Sequence, residues 1–71
     1  MVNWGILGTG SIANSFAKAT NHANHTSLVA VASRSQSRAD EFAQEYSIRS
    51  FGSYESLIED SEIDAIYIAT P

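Results

Sequence analysis

The stretch that decides the fold is residues 2–13, which read VNWGILGTGSIA. Val2–Leu7 has the composition of a short buried strand, and a helical pattern follows it. Between them, Gly8, Gly10 and Ala13 form a Gly-x-Gly-x-x-Ala run. In such a run the first glycine allows a tight turn, the second lets a pyrophosphate approach the backbone, and the small third residue lets helix and strand pack closely. Because the helix N-terminus also offers free N–H groups to phosphates, the stretch predicts a dinucleotide-binding turn.

Strand and helix patterns alternate along the whole chain. The predicted strands are Val2–Leu7, Leu28–Ala32, Arg49–Phe51 and Ala65–Ala69, and the predicted helices are Ser11–Thr20, Gln36–Tyr46 and a short segment capped by Ser53. This alternation is typical of a parallel sheet with crossover helices, and right-handed crossovers give the strand order 3-2-1-4. We therefore predict an α/β fold: a Rossmann-type doubly wound parallel sheet, truncated after the fourth strand. That strand is expected at an open sheet edge, which a C-terminal domain or a homo-oligomer would cover.

Apolar side chains recur at helical spacing, which predicts the helix faces that pack against the sheet. They are Ile12, Phe16 and Ala19 in the first helix, Ala39, Phe42, Ala43 and Tyr46 in the second, and Tyr54, Leu57 and Ile58 in the third. Packing explains the tyrosines better than catalysis does, and Trp4 is expected in the core.

Composition and charge exclude several classes of partner. The 71-residue chain carries a net charge of −4 and has no cysteine. The charge argues against nucleic acid and anionic membranes, and without cysteine there is neither a disulfide framework nor a thiolate metal site. No apolar run is long enough to cross a bilayer, and no secretory signal pattern opens the sequence, so we expect a cytoplasmic protein.

We expect no metal site in this chain. His22 and His25 have the spacing of a ligand pair, but no third ligand is near them, and their loop is expected at the N-terminal end of the sheet. An acidic run is expected to be the solvated face of the third helix and its exit loop. Its members are Glu55, Glu59, Asp60, Glu62 and Asp64.

The end of the second strand bears on the choice of nucleotide. NAD sites commonly place a carboxylate there, where it accepts hydrogen bonds from the adenosine ribose. Here the position is Ser33, followed by Arg34, and no carboxylate occurs between the glycines and Asp40. Since a guanidinium and hydroxyls bind a 2′-phosphate that a carboxylate would repel, the sequence favours NADP over NAD.

Two interpretations of the nearby arginines stay open. Arg34 directly follows the strand and is the stronger candidate for the phosphate. Arg38 either joins it or pairs on the surface with Glu41 or Glu45. A cation at a helix N-terminus is disfavoured by the helix dipole unless an anion offsets it, which favours the functional interpretation.

The chain resembles the N-terminal region of the Gfo/Idh/MocA oxidoreductases over essentially its whole length. Four ordered stretches carry the resemblance: WGILGTG at residues 4–10, VAVASR at 29–34, FGSYESL at 51–57 and IDAIYIATP at 63–71. Within that family it is most similar to the dihydrodiol and xylose dehydrogenase branch.

The resemblance implies an NAD(P)-dependent oxidoreductase that moves hydride to or from a sugar, polyol or related hydroxyl carbon. It implies cofactor-binding roles for three groups of residues besides Gly8 of the glycine motif: Thr9, Gly10, Ser11 and Ile12 at the pyrophosphate, Ser33, Arg34 and in some members Arg38 at the 2′-phosphate, and Ala69, Thr70 and Pro71 near the nicotinamide half. The family's catalytic lysine belongs to a Glu-Lys-Pro motif beyond residue 71. Lys18 lies in the first helix, the wrong context for that role, so we expect cofactor binding without catalytic residues and a substrate domain outside these 71 residues.

Two other functions also use a glycine-rich turn after the first strand. A non-catalytic nucleotide sensor or regulatory module needs the same glycine turn. An S-adenosylmethionine methyltransferase also has a glycine-rich turn after its first strand, but it usually needs an acidic residue at the end of the second, where this chain has Ser33 and Arg34.

Overall fold

The computed structural model describes residues 1–70 and contains one four-stranded parallel sheet with the order β3-β2-β1-β4. The strands are β1 (Val2–Leu7), β2 (Thr26–Ala32), β3 (Arg49–Phe51) and β4 (Ala65–Ile68), and the helices are α1 (Ser11–Asn21), α2 (Gln36–Tyr46) and α3 (Tyr54–Ile58). The predicted Rossmann-type order is confirmed. Within the described residues β4 lies at the edge of the sheet, where Ile68 is exposed.

Successive side chains of the central strands β1 and β2 belong alternately to two hydrophobic clusters. Ile6 of β1 and Val31 of β2 pack with α1 and α2. Their neighbour Leu7 belongs to the second cluster, whose helical member is Leu57 of α3. Because successive strand residues point to opposite faces, this division places α1 and α2 on one face of the sheet and α3 on the other.

The face of α1 that contacts the sheet agrees with the prediction at Ala13 and Phe16 and differs from it at Ile12 and Ala19. Ala13, Ala17 and Thr20 are buried, whereas Ile12 is 59% exposed and Ala19 is also exposed. Small side chains allow a helix to lie close to a sheet, so the alanines occupy the contact. The long apolar side chain of Ile12 falls outside that contact.

The third helix is the second point of difference. Leu57 is fully buried, but Ile58 is 54% exposed, so the prediction that both are buried was wrong for Ile58. A five-residue helix on one face of a sheet buries little more than one row of side chains, and Ile58 lies about 100° around the helix from Leu57. Trp4 is half-buried, with its ring edge-on to Phe16 at 5.2 Å.

Residues of the acidic run form hydrogen bonds and ion pairs with the sheet strands, whereas a solvated helix face was predicted. Asp60 accepts a 2.8 Å hydrogen bond from Arg49, and Glu62 lies 3.3 Å from the same guanidinium. Asp64 accepts from the backbone N–H of Asn3 at 2.9 Å. Three of its residues therefore connect the segment after α3 to the beginnings of β1 and β3.

Residues 1–70 contain no cluster of potential metal ligands and no helix with the length and apolarity to span a bilayer. His22 and His25 are exposed. The carbonyl of His25 accepts a 2.9 Å hydrogen bond from Val2, the first residue of β1, so this loop lies at the N-terminal end of the sheet as predicted.

Candidate functional site

The turn after β1 lies between the carboxyl ends of β2 and β4. The Gly8 N–H donates to the Ala32 carbonyl, and the Ala69 N–H donates to Leu7, each at 2.9 Å. Gly8 has φ +114°, and a Cβ at this position would lie 3.0 Å from the Ala69 carbonyl oxygen. Both the backbone conformation and the close approach therefore require glycine here.

Gly10 is different, because nothing among residues 1–70 requires it to be glycine. Its φ of −80° suits any residue, and a Cβ would meet no atom of these residues within 4 Å. It is the N-cap of α1 but supplies no side-chain cap, so the first N–H groups of the helix have no side-chain partner at that position. The space beside Gly10 is therefore open to a ligand, next to a helix N-terminus of the kind that binds anions.

A cleft of about 730 Å³ opens beside this turn. The glycine turn, the loop between β2 and α2, one side of α2, the beginning of α3 and the end of β4 form its walls. The lining residues are Gly8, Thr9, Gly10, Asn14, Ser33, Arg34, Ser35, Arg38, Glu41, Phe42, Glu45, Tyr54, Ala69 and Thr70. The cleft therefore lies at the carboxyl end of the sheet, where open α/β sheets bind ligands.

Serines order the loop between β2 and α2. Ser33 is buried, and its Oγ accepts a 3.2 Å hydrogen bond from the Ser35 N–H. Ser35 in turn is the N-cap of α2 and accepts from the Arg38 N–H at 3.4 Å. Arg34 is exposed between them, and its guanidinium carbon lies 5.6 Å from the centre of the Tyr54 ring. Serine hydroxyls thus hold the backbone of this loop, and Arg34 remains at the cleft.

The arginines at the cleft have no ionic partner within residues 1–70. Every ion pair in this part of the chain involves Arg49, at the beginning of β3. The alternative in which Arg38 pairs with Glu41 or Glu45 is therefore not observed, although both glutamates line the same cleft. Arg34 and Arg38 can both interact with an anionic ligand.

Most of the residues predicted to bind the cofactor meet in this one cleft. Those in its lining are Gly8, Thr9, Gly10, Ser33, Arg34, Arg38, Ala69 and Thr70. Ser11 and Ile12 lie in the first turn of α1, exposed and outside the lining. Pro71 lies outside the described residues.

Sequence reasoning missed several lining residues. Phe42 and Tyr54 follow helical spacing and were predicted only as packing residues, yet both also face the cleft. Asn14 carried no signal in the sequence, because its importance depends on the approach of α2 to α1. Glu41 and Glu45 were considered only as partners of Arg38. The spacing of four between Arg38 and Phe42, and between Glu41 and Glu45, was a usable signal, since residues at that spacing share a helix face.

An open parallel sheet with a glycine turn at its carboxyl edge, and with Arg34 and Arg38 following its second strand, defines a Rossmann-type nucleotide-binding unit. Comparison with known proteins agrees. A model described as the oxidoreductase family, NAD-binding Rossmann fold (Gfo/Idh/MocA), matches residues 2–71. The chain belongs to this oxidoreductase family as part of its NAD-binding Rossmann fold.

Two similar curated proteins are dehydrogenases. Trans-1,2-dihydrobenzene-1,2-diol dehydrogenase from Danio rerio is 47% identical over 72 residues, covering 97% of this chain and 22% of the relative. D-xylose 1-dehydrogenase (NADP(+)) from Hypocrea jecorina is 32% identical over 83 residues, covering 99% of this chain and 21% of the relative. The chain therefore spans about a fifth of the length of these relatives.

Solved structures share the fold. The 3-ketoreductase KijD10 from Actinomadura kijaniata, in complex with NADP and TDP-benzene, superposes with a TM-score of 0.92 at 28% identity and covers 99% of this chain and 22% of its own. Myo-inositol dehydrogenase from Lactobacillus casei, in complex with NAD(H) and myo-inositol, has a TM-score of 0.88 at 23% identity over 99% of this chain and 22% of its own. At 23% identity, the similarity to the myo-inositol dehydrogenase shows a shared fold and no more.

Proposed function

We propose that this chain is the NADP(H)-binding segment of an oxidoreductase that transfers hydride to or from a sugar, polyol or related hydroxyl carbon. The observation that carries the proposal is the pair of cations after β2, Arg34 in the loop and Arg38 in the first turn of α2. Both line the cleft without an ionic partner in residues 1–70, and no carboxylate occurs between the glycine turn and Asp40. A 2′-phosphate would offset these two cations, whereas an unphosphorylated ribose would leave them unpaired.

Each part of the cleft has a binding role in this proposal. The open space at Gly10 and the N-terminus of α1 receive the pyrophosphate. Ser33 and Arg34 face the adenosine end, and Ala69 and Thr70 border the nicotinamide half. When bound, the dinucleotide supplies or accepts the hydride, while the residues of this chain hold and orient it. The chain itself contributes binding and no catalytic residue.

We also propose that residues 1–71 form the N-terminal part of a dinucleotide-binding domain whose catalytic and substrate-binding residues lie elsewhere. The share of the relatives that the chain covers, 22% and 21%, supports this proposal. A Glu-Lys-Pro motif in downstream coding sequence would support it further. The names of the relatives favour a dehydrogenase over a non-catalytic sensor, and the family match disfavours a methyltransferase.

The first experiment is a calorimetric titration of the 71-residue chain with NADPH and then NADH, with circular dichroism to establish that the chain is folded. Tighter saturable binding of NADPH supports the proposal. Equal affinities would contradict the 2′-phosphate assignment, and a folded chain that binds neither dinucleotide would refute the proposed function.

A further inference from the structure

A chain of side-chain hydrogen bonds connects the end of α2 to the glycine turn. The Tyr46 hydroxyl donates to Oδ1 of Asn14 at 2.7 Å, across 32 positions of sequence. Nδ2 of the same amide donates to the Gly10 carbonyl at 3.1 Å, and the Asn14 backbone N–H reaches that carbonyl at 3.0 Å. The Gly10 oxygen therefore accepts two hydrogen bonds from one residue.

The tyrosine is well placed to orient the amide. Its ring is half-buried and packs on Phe42 with ring centres 4.8 Å apart. The phenol is protonated at neutral pH at its ordinary pKa of 10.0, and burial, followed by the charge of the neighbouring Glu45 carboxylate, raises that pKa further. A protonated hydroxyl donates to the amide oxygen and thereby leaves the amide nitrogen directed at Gly10.

The orientation of the Gly10 carbonyl matters for an anion at the turn. The Gly10 carbonyl and the Ser11 N–H belong to one planar trans peptide, in which the two groups point in opposite directions. When the carbonyl is directed along α1 toward Asn14, the Ser11 N–H is directed outward from the helix N-terminus. That is the direction from which a phosphate approaches.

We propose that Tyr46 and Asn14 are positioning residues for the phosphate-binding turn. Tyr46 orients the Asn14 amide, and the amide holds the Gly10–Ser11 peptide with its N–H toward the pyrophosphate. This inference rests on the proposed function, because the pyrophosphate is its ligand. Both dinucleotides carry that group, so the pair contributes to the affinity for NADPH and NADH alike, and the preference between them depends on Arg34 and Arg38.

The test combines affinity measurements with a readout that needs no cofactor. Tyr46→Phe should weaken NADPH and NADH by the same factor, about fivefold, which corresponds to a net hydrogen bond of about 1 kcal/mol. Asn14→Ala should weaken both at least as much, and the double variant should bind no more weakly than Asn14→Ala alone, because the two residues act in series. In the absence of cofactor, the Ser11 amide resonance should shift in Tyr46→Phe.

The matched control is Tyr67→Phe. Tyr67 stacks on Phe16 with ring centres 4.1 Å apart, and its hydroxyl makes no hydrogen bond within residues 1–70, so its removal should change neither the resonance nor the affinities. An unmoved Ser11 amide in Tyr46→Phe, additive losses in the double variant, or a changed ratio of the two affinities would overturn the positioning role. Failure of the unsubstituted chain to bind either dinucleotide would instead refute the proposed function.

Discussion

The guanidinium carbon of Arg34 lies 5.6 Å from the centre of the Tyr54 ring, so the loop after β2 meets the beginning of α3 over the cleft. A guanidinium stacked on an aromatic face is held in place by the ring quadrupole while the N–H groups at its edge remain able to donate. Tyr54 therefore positions a cation without neutralising it. This arrangement leaves Arg34 able to bind the 2′-phosphate that we propose as its ligand.

Replacing Arg34 by alanine is expected to change cofactor preference. Arg34→Ala should weaken NADPH binding by roughly 1–3 kcal/mol, the scale of a charge-assisted contact, and affect NADH little. Calorimetric titration of both cofactors measures the difference. Lys18→Ala is the control, because it removes a cation outside the cleft lining and should change neither affinity. An equal loss for both cofactors in Arg34→Ala would exclude the 2′-phosphate role.

Gly10→Val should abolish binding of both dinucleotides while the fold survives. A Cβ at Gly10 meets no atom of residues 1–70 within 4 Å, so we expect the new side chain to occupy the space proposed for the pyrophosphate. Valine is less favourable than glycine at a helix N-cap, and we expect this difference to lower the free energy of unfolding by about 1 kcal/mol. Titration and chemical denaturation of the same sample separate the two effects. Retained affinity would mean that the motif is only a structural turn.

Unlike Gly10→Val, Gly8→Ala should act mainly on the stability of the fold. The φ of +114° and the Ala69 carbonyl 3.0 Å from a built Cβ both oppose a side chain. We expect a loss of about 1–3 kcal/mol in the free energy of unfolding, measured by chemical denaturation. Gly10→Ala is the matched control and should lose less. The same stability for both alanine variants would contradict the distinction between the two glycines.

Adjacent residues of α3 should differ sharply in their contribution to stability. Leu57 is fully buried, and it packs so closely on β1 that a Cβ at Gly5 would lie 2.7 Å from its side chain. Leu57→Ala should cost about 2–5 kcal/mol. Ile58→Ala, at a position 54% exposed, should stay within about 0.5 kcal/mol of the unsubstituted chain. Similar losses at both positions would indicate that α3 packs differently.

The stability of the fold should fall in acid. The Arg49 guanidinium lowers the pKa of Asp60 below its usual 3.8, and hydrogen bonds from Ser50 and then Gln36 lower the pKa of Asp40 in the same way. A depressed native pKa contributes stability that is complete above the unfolded-state pKa and is lost as pH falls through the native one. Unfolding curves at a series of pH values down from neutrality should therefore show the decline beginning near the ordinary carboxyl pKa.

Asp60→Asn tests the origin of that decline. The variant should be less stable than the unsubstituted chain at neutral pH, because Arg49 loses its carboxylate partner at 2.8 Å. The difference should shrink as pH falls, since the unsubstituted Asp60 then becomes protonated as well. A difference that stays constant over the acid range would show that the ion pair does not cause the pH dependence.

The order of elements and the glycine turn were predictable because they depend on local pattern. Periodicity along the chain located the four strands and the first two helices to within about two residues of their observed bounds, and Ser53 marked the start of the third helix. Where the prediction was wrong, at Ile12, Ala19 and Ile58, the choice lay between neighbouring apolar residues of one helix. Such a choice depends on the rotation of the helix against the sheet, which the size of the contacting side chains decides.

By itself, then, the sequence determined the Rossmann-type order 3-2-1-4, the turn at Gly8 and Gly10, and the absence of a carboxylate at the end of β2. Only the tertiary structure decided that Arg38 has no partner among the described residues, that Tyr54 lies under Arg34, and that Tyr46 reaches Asn14. The physical reason is the separation along the sequence over which each interaction acts. Hydrophobic periodicity and backbone preference act over a few residues, whereas these contacts form between elements that are distant in sequence and meet only when the helices pack on the sheet.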